Sequence, residues 1–367
     1  MSRSNVGGTS QWLFQLSSGL TVHGIENRLI VGDCPSSERE DFRIREVNHL
    51  RLKGLGPKQG LFETFRAFLK LRTAIREFNP DVINTHTSKA GVLGRIASKT
   101  VRGNAVTVHT YHGHVLAGYF SKPMEYAVKA AEKTMRFFTD FYLVSGEKVL
   151  EDIINAGVIR GSNYLNVWPA VPDYETSERI DVRTRLGIAH DQIVVGWLGR
   201  KVPIKRIDRI LDAASQLPHI TFLIAGDGQS IKQTFPKFFA EGKGLNVLEL
   251  EFSTPKEVWS ASDIAILTSD NEAMPISPIE AALASLPVIA IDSGATAEVM
   301  INGETGILCS KDSKSLVSAI SSLAVDDVLR TKMGSAARTF ALAKFSPQNS
   351  VQRQIEGYQT ALDASRR

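Results

Sequence analysis

Residues 263–308, DIAILTSDNEAMPISPIEAALASLPVIAIDSGATAEVMINGETGIL, constrain the fold more than any other stretch of the chain. Ile264 to Leu267 is an apolar run of strand length, too short for a helix. A polar turn, Ser269-Asp270-Asn271-Glu272, follows it. Ser277 as N-cap, Pro278 at the first helical position and Glu280 at the third then predict a helix start with a capping box. Pro287 ends that helix, and Val288 to Ile291 returns to the sheet. The result is a strand–helix–strand unit with a polar loop at the carboxyl end of its first strand. Open α/β sheets bind their ligands there.

Two carboxylates, Glu272 and Glu280, frame this loop with seven residues between them. The helix start after Met274 offers unpaired backbone N–H groups and a positive dipole end, which suit a phosphate. A carboxylate beside a phosphate needs a different partner, such as hydroxyls. A ligand carrying both, such as a nucleotide-sugar, satisfies the set. The competing reading, equally consistent with the spacing, is that Glu280 only caps the helix.

The E-x7-E pair, the apolar run after it, Gly294, Glu298 and Asn302-Gly303-x-x-Gly306 together resemble the retaining family 4 glycosyltransferases. The resemblance implies an α/β, GT-B architecture of two facing Rossmann-like domains, each a doubly wound parallel sheet. It implies that Glu272 lies beside the donor sugar, that Glu280 accepts from the nucleotide ribose, and that Ala273, Met274, Pro275, Ile276 and Ser277 hold the diphosphate and sugar. Asn271-Glu272-Ala273 departs from the family's usual Glu-Gly, although Ala273 is small enough to keep the backbone approachable.

A chain of 367 residues exceeds one ordinary core, so two domains are the default. A formal net charge of +4 is too small to argue for nucleic acid. Cys34 and Cys309 stand far apart, in no zinc-like spacing, which fits a reducing compartment. With no run of transmembrane length and no signal peptide, the chain is expected in the cytoplasm.

Gly7-Gly8 opens the chain, and a helical pattern runs from Gln11 to Val22. Asn27 to Val31 reads as a strand. From Arg43 to Arg76 positive charge accumulates, ending in an amphipathic helix whose apolar face is read as Leu61, Phe65, Phe68, Leu69 and Ile75. Such charge is ordinarily a solvated helix face; the functional alternative is contact with anionic lipid at the inner membrane's cytoplasmic face. Asp81 to Asn84 and Val106 to Thr110 are strands ending in polar clusters, His86-Thr87-Ser88-Lys89 and His112-Gly113-His114. Without acidic or thiol companions these imidazoles suit sugar and phosphate better than metal. The two clusters resemble a family branch that builds bacterial surface polysaccharides and lipid-linked glycans. That resemblance places His112 near the transferred sugar, and Gly7, Gly8, His86 and Lys89 on the acceptor side.

Pro169 to Asp173 breaks regular structure and marks the domain boundary. The expected domains are 1–170 on the acceptor side and 175–345 for the nucleotide-sugar, with 346–367 a terminal helix crossing back to the first. In the second domain, Ile193 to Leu198 is a strand ending in Gly199-Arg200, with Lys205 following. Two cations at a strand's carboxyl end neutralise a diphosphate leaving group. Exposed charge kept for solubility is the alternative, and the family match favours the functional reading. Gly226 permits a tight turn against a ligand or a neighbouring backbone.

The chain therefore reads as a retaining hexosyltransferase moving a sugar from a nucleotide-sugar, UDP-linked on the resemblance, to a glycan or polyprenyl-diphosphate-linked acceptor. Catalysis falls to Glu272, His112, Arg200 and Lys205; no metal or other cofactor and no nucleic acid is expected. An epimerase of the same architecture and a non-catalytic partner subunit stand as alternatives. Only Met1 to Val6 precede the glycine pair, where the family has its first, central strand. Either an upstream start encoding an apolar strand of about six residues or a gapped first sheet is expected.

Overall fold

The computed structural model describes residues 1–36, 38–56, 59–113, 122–174, 179–251 and 253–366. His114 lies outside them. The chain divides into two units, Met1–Val171 with Pro347–Arg367, and Pro172–Ser346.

The first unit contains α1 (Gly8–Val22), β1 (Leu29–Val31), β2 (His49–Arg51), α2 (Leu61–Phe78), β3 (Val82–His86) and α3 (Ser88–Thr100). It continues with β4 (Val106–Tyr111), α4 (Lys122–Met135), β5 (Phe141–Ser145), α5 (Glu147–Asn155) and β6 (Tyr164–Val167). Strands β3-β4-β5-β6 form one parallel sheet in that order, and β1-β2 a separate parallel pair. No strand precedes α1 among the described residues. Met1 to Ser4 are nevertheless anchored. The Met1 amine donates to the Ile30 carbonyl at 2.8 Å, Gly32 N donates to Met1 O, and Ser2 Oγ lies 2.7 Å from Thr87 Oγ1. These residues therefore bond both to β1 and to the end of β3.

The second unit contains α6 (Arg179–Leu186), β7 (Val194–Leu198), α7 (Ile207–Gln216), β8 (Thr221–Ala225), α8 (Ile231–Thr234), α9 (Pro236–Ala240) and β9 (Val247–Leu250). After these come α10 (Pro255–Ala261), β10 (Ile264–Leu267), α11 (Ile276–Leu283), β11 (Val288–Ile291), β12 (Gly306–Cys309), α12 (Ser313–Val325) and α13 (Asp327–Phe345). All its strands are parallel, in the order β12-β11-β10-β7-β8-β9. Counting outward, the chain winds from β7 through β8 to β9 on one side, then from β10 through β11 to β12 on the other. The order reverses between β7 and β10, which is where a doubly wound sheet opens a crevice. Both faces are covered, so the strands read as near-continuous apolar runs. Trp197, Phe222 and Ile289 pack with α7 and α12 on one face, and Val194, Leu223 and Ala265 with α10 and α11 on the other.

The last helix, α14 (Pro347–Ser365), belongs to the first unit. It sits close because two glycines admit it: a Cβ on Gly19 of α1 would lie 2.4 Å from Val351, and one on Gly357 would lie 2.5 Å from Leu143 of β5. Tyr358 accepts from Asn84 Nδ2 at 2.7 Å, tying α14 to β3.

Helix α2 corrects the sequence reading. Its packed side is Ala67, Leu71, Ala74 and Ile75, whereas Leu61, Phe65 and Leu69 face water. Ala67, Leu71 and Ile75 pack with Ala97 of α3, and Phe68 is partly buried against them. Strand β2 was also missed, since three residues alternating polar and apolar carry little signal.

Arg183 fixes the amino ends of β7 and β10. Its side chain is 1% exposed; Nη2 donates to Asp263 Oδ2 at 2.6 Å, and Nε donates to Ala261 O at 3.0 Å. The same Asp263 oxygen accepts from Val194 N at 2.8 Å, so one carboxylate holds both strands. Removing the guanidinium leaves the Asp263 charge facing one cation, the partly exposed Arg179, beside the Val194 N–H. Arg183→Ala should therefore cost the second unit about 3–5 kcal/mol. Native-state hydrogen exchange of the β7 and β10 amides measures this, and unchanged protection would refute it.

Candidate functional site

The loops on either side of the β7/β10 reversal carry the predicted donor residues. After β7, Gly199 and Arg200 lead to a short turn, Pro203–Lys205, and Arg206 swings the chain into α7 through a left-handed conformation at φ 53°. After β10, Thr268 to Pro275 lead into α11. The two loops are stitched together by backbone: Asp270 N donates to Ile204 O at 2.9 Å, and Thr268 Oγ1 donates to Lys205 O at 2.9 Å. Arg206 and Arg209 both donate to Asp270. Burial pushes the Asp270 carboxyl up, but these two arginines outweigh it and hold the carboxyl below its ordinary value.

This framework brings Lys205 and Glu272 into contact. Lys205 Nζ donates to Glu272 Oε1 at 2.5 Å, with side chains 23% and 10% exposed, and Ser269 Oγ donates to the same oxygen at 2.6 Å. The pair is partly buried yet reachable. Arg200 is exposed at the end of β7. Gly294 supports Glu272 from behind: at φ 57°, a Cβ there would lie 2.0 Å from Glu272 O, and Ala295 N donates to that carbonyl at 2.8 Å. Gly226 meets a neighbouring backbone, since its Cβ would lie 2.0 Å from Gly199 O. Those glycines fasten the ends of β7 and β8 together.

The capping box does not form. Helix α11 begins at Ile276 with Pro275 as its N-cap and no side-chain cap bond, so Ser277 and Glu280 already lie inside it. The extended Pro275, at φ −72° and ψ 123°, starts the helix earlier than a Ser277 cap would. Capping is therefore no longer an account of Glu280. Its residue is buried at 6% exposure, and its carbonyl accepts from the Tyr174 hydroxyl. Burial first, then the charges of Glu280 and Asp173, push the Tyr174 phenol up. The N–H groups of Ile276 and Ser277 in the first turn have no intrahelical acceptor, and Pro278 has no N–H. Met274 and Pro275 are buried, while Ala273 is partly exposed.

Ser269, Asp270 and Tyr174 escaped the sequence reading. Ser269 and Asp270 lie inside the quoted motif, but nothing in its spacing marks them. Tyr174 sits in the inter-domain stretch, far from the motif in sequence. Lys201, next to Arg200, points elsewhere: its ammonium is 3% exposed and pairs with Glu249 on β9 at 2.7 Å.

In the first unit, Gly7 is the N-cap of α1 and Gly8 its first residue, three residues before the predicted start at Gln11. Lys89 donates to Gly56 O at 2.8 Å. His86 and His112, at the ends of β3 and β4, share one hydrogen bond, Nδ1 to Nε2 at 2.9 Å. The Trp12 and His112 rings meet nearly at right angles, with centroids 4.6 Å apart. Burial holds His112 down to about 3, and burial together with His112 holds His86 well below the ordinary histidine value. Both rings are neutral at pH 7, and one donates to the other. Among the described residues, no group of three or more acidic, histidine or cysteine side chains is arranged to hold a metal ion.

Residues 178–340 match the model for glycosyl transferases group 1, and residues 6–168 match the model for glycosyltransferase family 4. The chain is similar to the Escherichia coli UDP-Gal:alpha-D-GlcNAc-diphosphoundecaprenol alpha-1,3-galactosyltransferase, 25% identical over 288 residues and 73% of each chain. It is 24% identical to the D-inositol 3-phosphate glycosyltransferase of Mycobacterium marinum, over 98% of this chain and 82% of that one. Among solved structures, Anabaena HepE in complex with UDP and glucose superposes with a TM-score of 0.82 over 97% of both chains at 21% identity. That likeness shows the GT-B fold.

The buried imidazoles give the first unit a pH dependence of definite sign. His86, His109 and His112 are all held below their ordinary value, chiefly by burial. Below about pH 6.5 the unfolded chain binds protons that the folded one refuses, so stability is complete above that pH and falls as pH drops toward His112's value of about 3. Urea unfolding at pH 7 and pH 5 should give a lower midpoint at pH 5. His86→Gln with His112→Gln should shrink the difference; an unchanged difference would count against this assignment.

Proposed function

We propose that this chain, which belongs to the family 4 glycosyltransferases, transfers a hexose with retention from a UDP-sugar to a glycan or polyprenyl-diphosphate-linked acceptor. The observation that carries the donor assignment is the Lys205–Glu272 pair at the β7/β10 reversal, beside the open first turn of α11. A diphosphate arriving there competes for Lys205 and for the Ile276 and Ser277 amides. Arg200 supplies a second positive charge. Once Lys205 turns to the phosphate, Glu272 is released to accept hydroxyls of the sugar. Glu280, a little more than one turn inside the helix, takes the ribose diol.

Chemistry then needs little from the protein beyond positioning and charge. The acceptor hydroxyl attacks the anomeric carbon on the face from which the phosphate leaves. The bond from that carbon to the phosphate oxygen breaks, and the departing phosphate takes the hydroxyl proton. The products are the new glycoside and a nucleoside diphosphate. The first unit serves the acceptor, with His86, Lys89 and His112 as its candidate polar contacts. The Escherichia coli relative, named for a UDP-galactose donor and a diphosphoundecaprenol-linked acceptor, supports both substrate classes. The Staphylococcus aureus relative, named for capsular polysaccharide biosynthesis, supports the polysaccharide setting.

The test is incubation with a panel of UDP-sugars, with and without acceptor. Transfer with a retained anomeric centre is expected; an epimer formed from donor alone, or no turnover at all, would overturn the reading. Arg200→Ala and Lys205→Ala should each lose a charge-assisted contact worth about 1.5–3 kcal/mol, roughly ten- to 150-fold in kcat/KM. Wild-type rates in both variants would mean that the donor binds elsewhere.

Glu280→Gln should leave the melting temperature near wild type, because the amide keeps the size of the carboxylate and one acceptor oxygen. It should weaken stabilisation by UDP if the carboxylate takes the ribose. Equal UDP-induced shifts in the two proteins would remove Glu280 from the donor site.

A further inference from the structure

We propose that Tyr174 is a positioning residue for the donor site: its hydroxyl holds the turn of α11 that carries Glu280, and the Asp173–Arg338 pair holds Tyr174 in place. The inference rests on the donor assignment above and adds to it a residue with no place in the E-x7-E motif. Tyr174 is among the first residues of the second unit, which begins at Pro172. Across 106 residues of sequence, its hydroxyl donates to the Glu280 carbonyl. That carbonyl also accepts the bond from Ala284 N at 3.1 Å, so the phenol is a second donor to an oxygen with two lone pairs. The half-buried ring packs against the core cluster that contains Ala281 and Ala284.

Tyr174 is itself anchored. Asp173 Oδ1 accepts from Tyr174 N and from Arg338 Nη1, both at 2.9 Å, and Asp173 Oδ2 accepts from Arg338 Nη2 at 2.7 Å. The planar guanidinium grips both carboxylate oxygens, which fixes orientation as well as distance. Arg338 Nη1 also donates to the carbonyl of Leu283, the last residue of α11. Helix α13, which carries Arg338, presses on the exit from α11 as well. A Cβ on Gly334 would lie 2.0 Å from Ser285 O, and Ser285 turns through the left-handed region at φ 60°. All these contacts hold the carboxyl end of α11, while its first turn has no side-chain cap bond. A helix of eight residues is too short to be stable alone, so outside contacts decide where it stands. Glu280 lies on the turn to which Tyr174 bonds, and its residue is buried, with little room to correct a shift of that turn. Moving the turn moves the carboxylate away from the ribose and leaves the Ile276 and Ser277 amides, a turn earlier, where the diphosphate meets them.

The test compares UDP with dideoxyuridine diphosphate, which keeps the base and the diphosphate and lacks the ribose diol. Affinities are measured by calorimetry on the full chain. Tyr174→Phe keeps the ring and its packing, and the Glu280 carbonyl keeps its bond from Ala284, so melting should stay near wild type. The variant should bind UDP about three- to tenfold more weakly, the effect of one hydrogen bond. It should bind the dideoxy nucleotide as wild type does. In turnover, KM for the UDP-sugar should rise by the same factor with kcat unchanged, because the ribose contact is equal in ground and transition states. In a Glu280→Gln background, Tyr174→Phe should have no further effect on UDP. Arg338→Gln, which releases Asp173, should show the same selective loss. A merely structural role predicts equal loss of both nucleotides. That result, unchanged UDP affinity in either variant, or losses that add in the double variant would each overturn the proposal. The two readings fail separately. A wild type that binds both nucleotides equally removes the ribose from Glu280 and the positioning role with it. A wild type that discriminates, beside a Tyr174→Phe variant that discriminates as well, removes the positioning role alone.

Discussion

The pairing of β7 with β10 is the constraint on which the second unit depends. Only two residue pairs define its register, Ile264 with Val195 and Ala265 with Gly196. Gly196 matters because a Cβ there would lie 2.1 Å from Ser262 Oγ, so the segment entering β10 runs tight against β7. At the other end of the same two strands, the loops meet through Asp270 and Thr268, and the helices that follow them, α7 and α11, pack on opposite faces of the sheet. One end is fixed by Asp263 and Arg183, and the other opens into the crevice that holds Lys205 and Glu272. Strength at the amino ends and access at the carboxyl ends are two aspects of one parallel pairing.

Around that crevice the protein separates support from function. Asp270, held by two arginines, and Gly294, pressed against the Glu272 backbone, contribute position. The Glu272 carboxylate accepts from Ser269 and Lys205 through the same oxygen. The support does not depend on Lys205, since Arg206, Arg209 and the backbone bonds hold the loop without it. The lysine can therefore change partner while the loop keeps its shape.

Much of the second unit was legible because its strands are buried on both faces. Apolar runs such as Ile264 to Leu267 and Val288 to Ile291 match strands β10 and β11 residue for residue. What failed had a common physical origin, since local pattern and tertiary contact disagreed. Ser277-x-x-Glu280 fits a capping box in isolation, yet Pro275 starts the helix upstream. Leu61, Phe65 and Leu69 obey a helical period, but the period does not say which side packs, and the side of Ala67, Leu71, Ala74 and Ile75 does. The Lys205–Glu272 contact joins residues far apart in sequence, so each was legible only as a separate candidate. The His86–His112 bond was likewise invisible, although both residues stood at adjacent strand ends.

The crowding at Gly294 also sets where this protein can diversify. Any side chain there collides with the peptide that carries Glu272, so changes at that position disturb the loop before they alter any preference. Gly226, pressed on Gly199, is closed to variation for the same reason. Ala273 is different, being partly exposed on the loop itself. Under the donor assignment proposed above, a library meant to redirect sugar choice varies Ala273 and holds both glycines fixed.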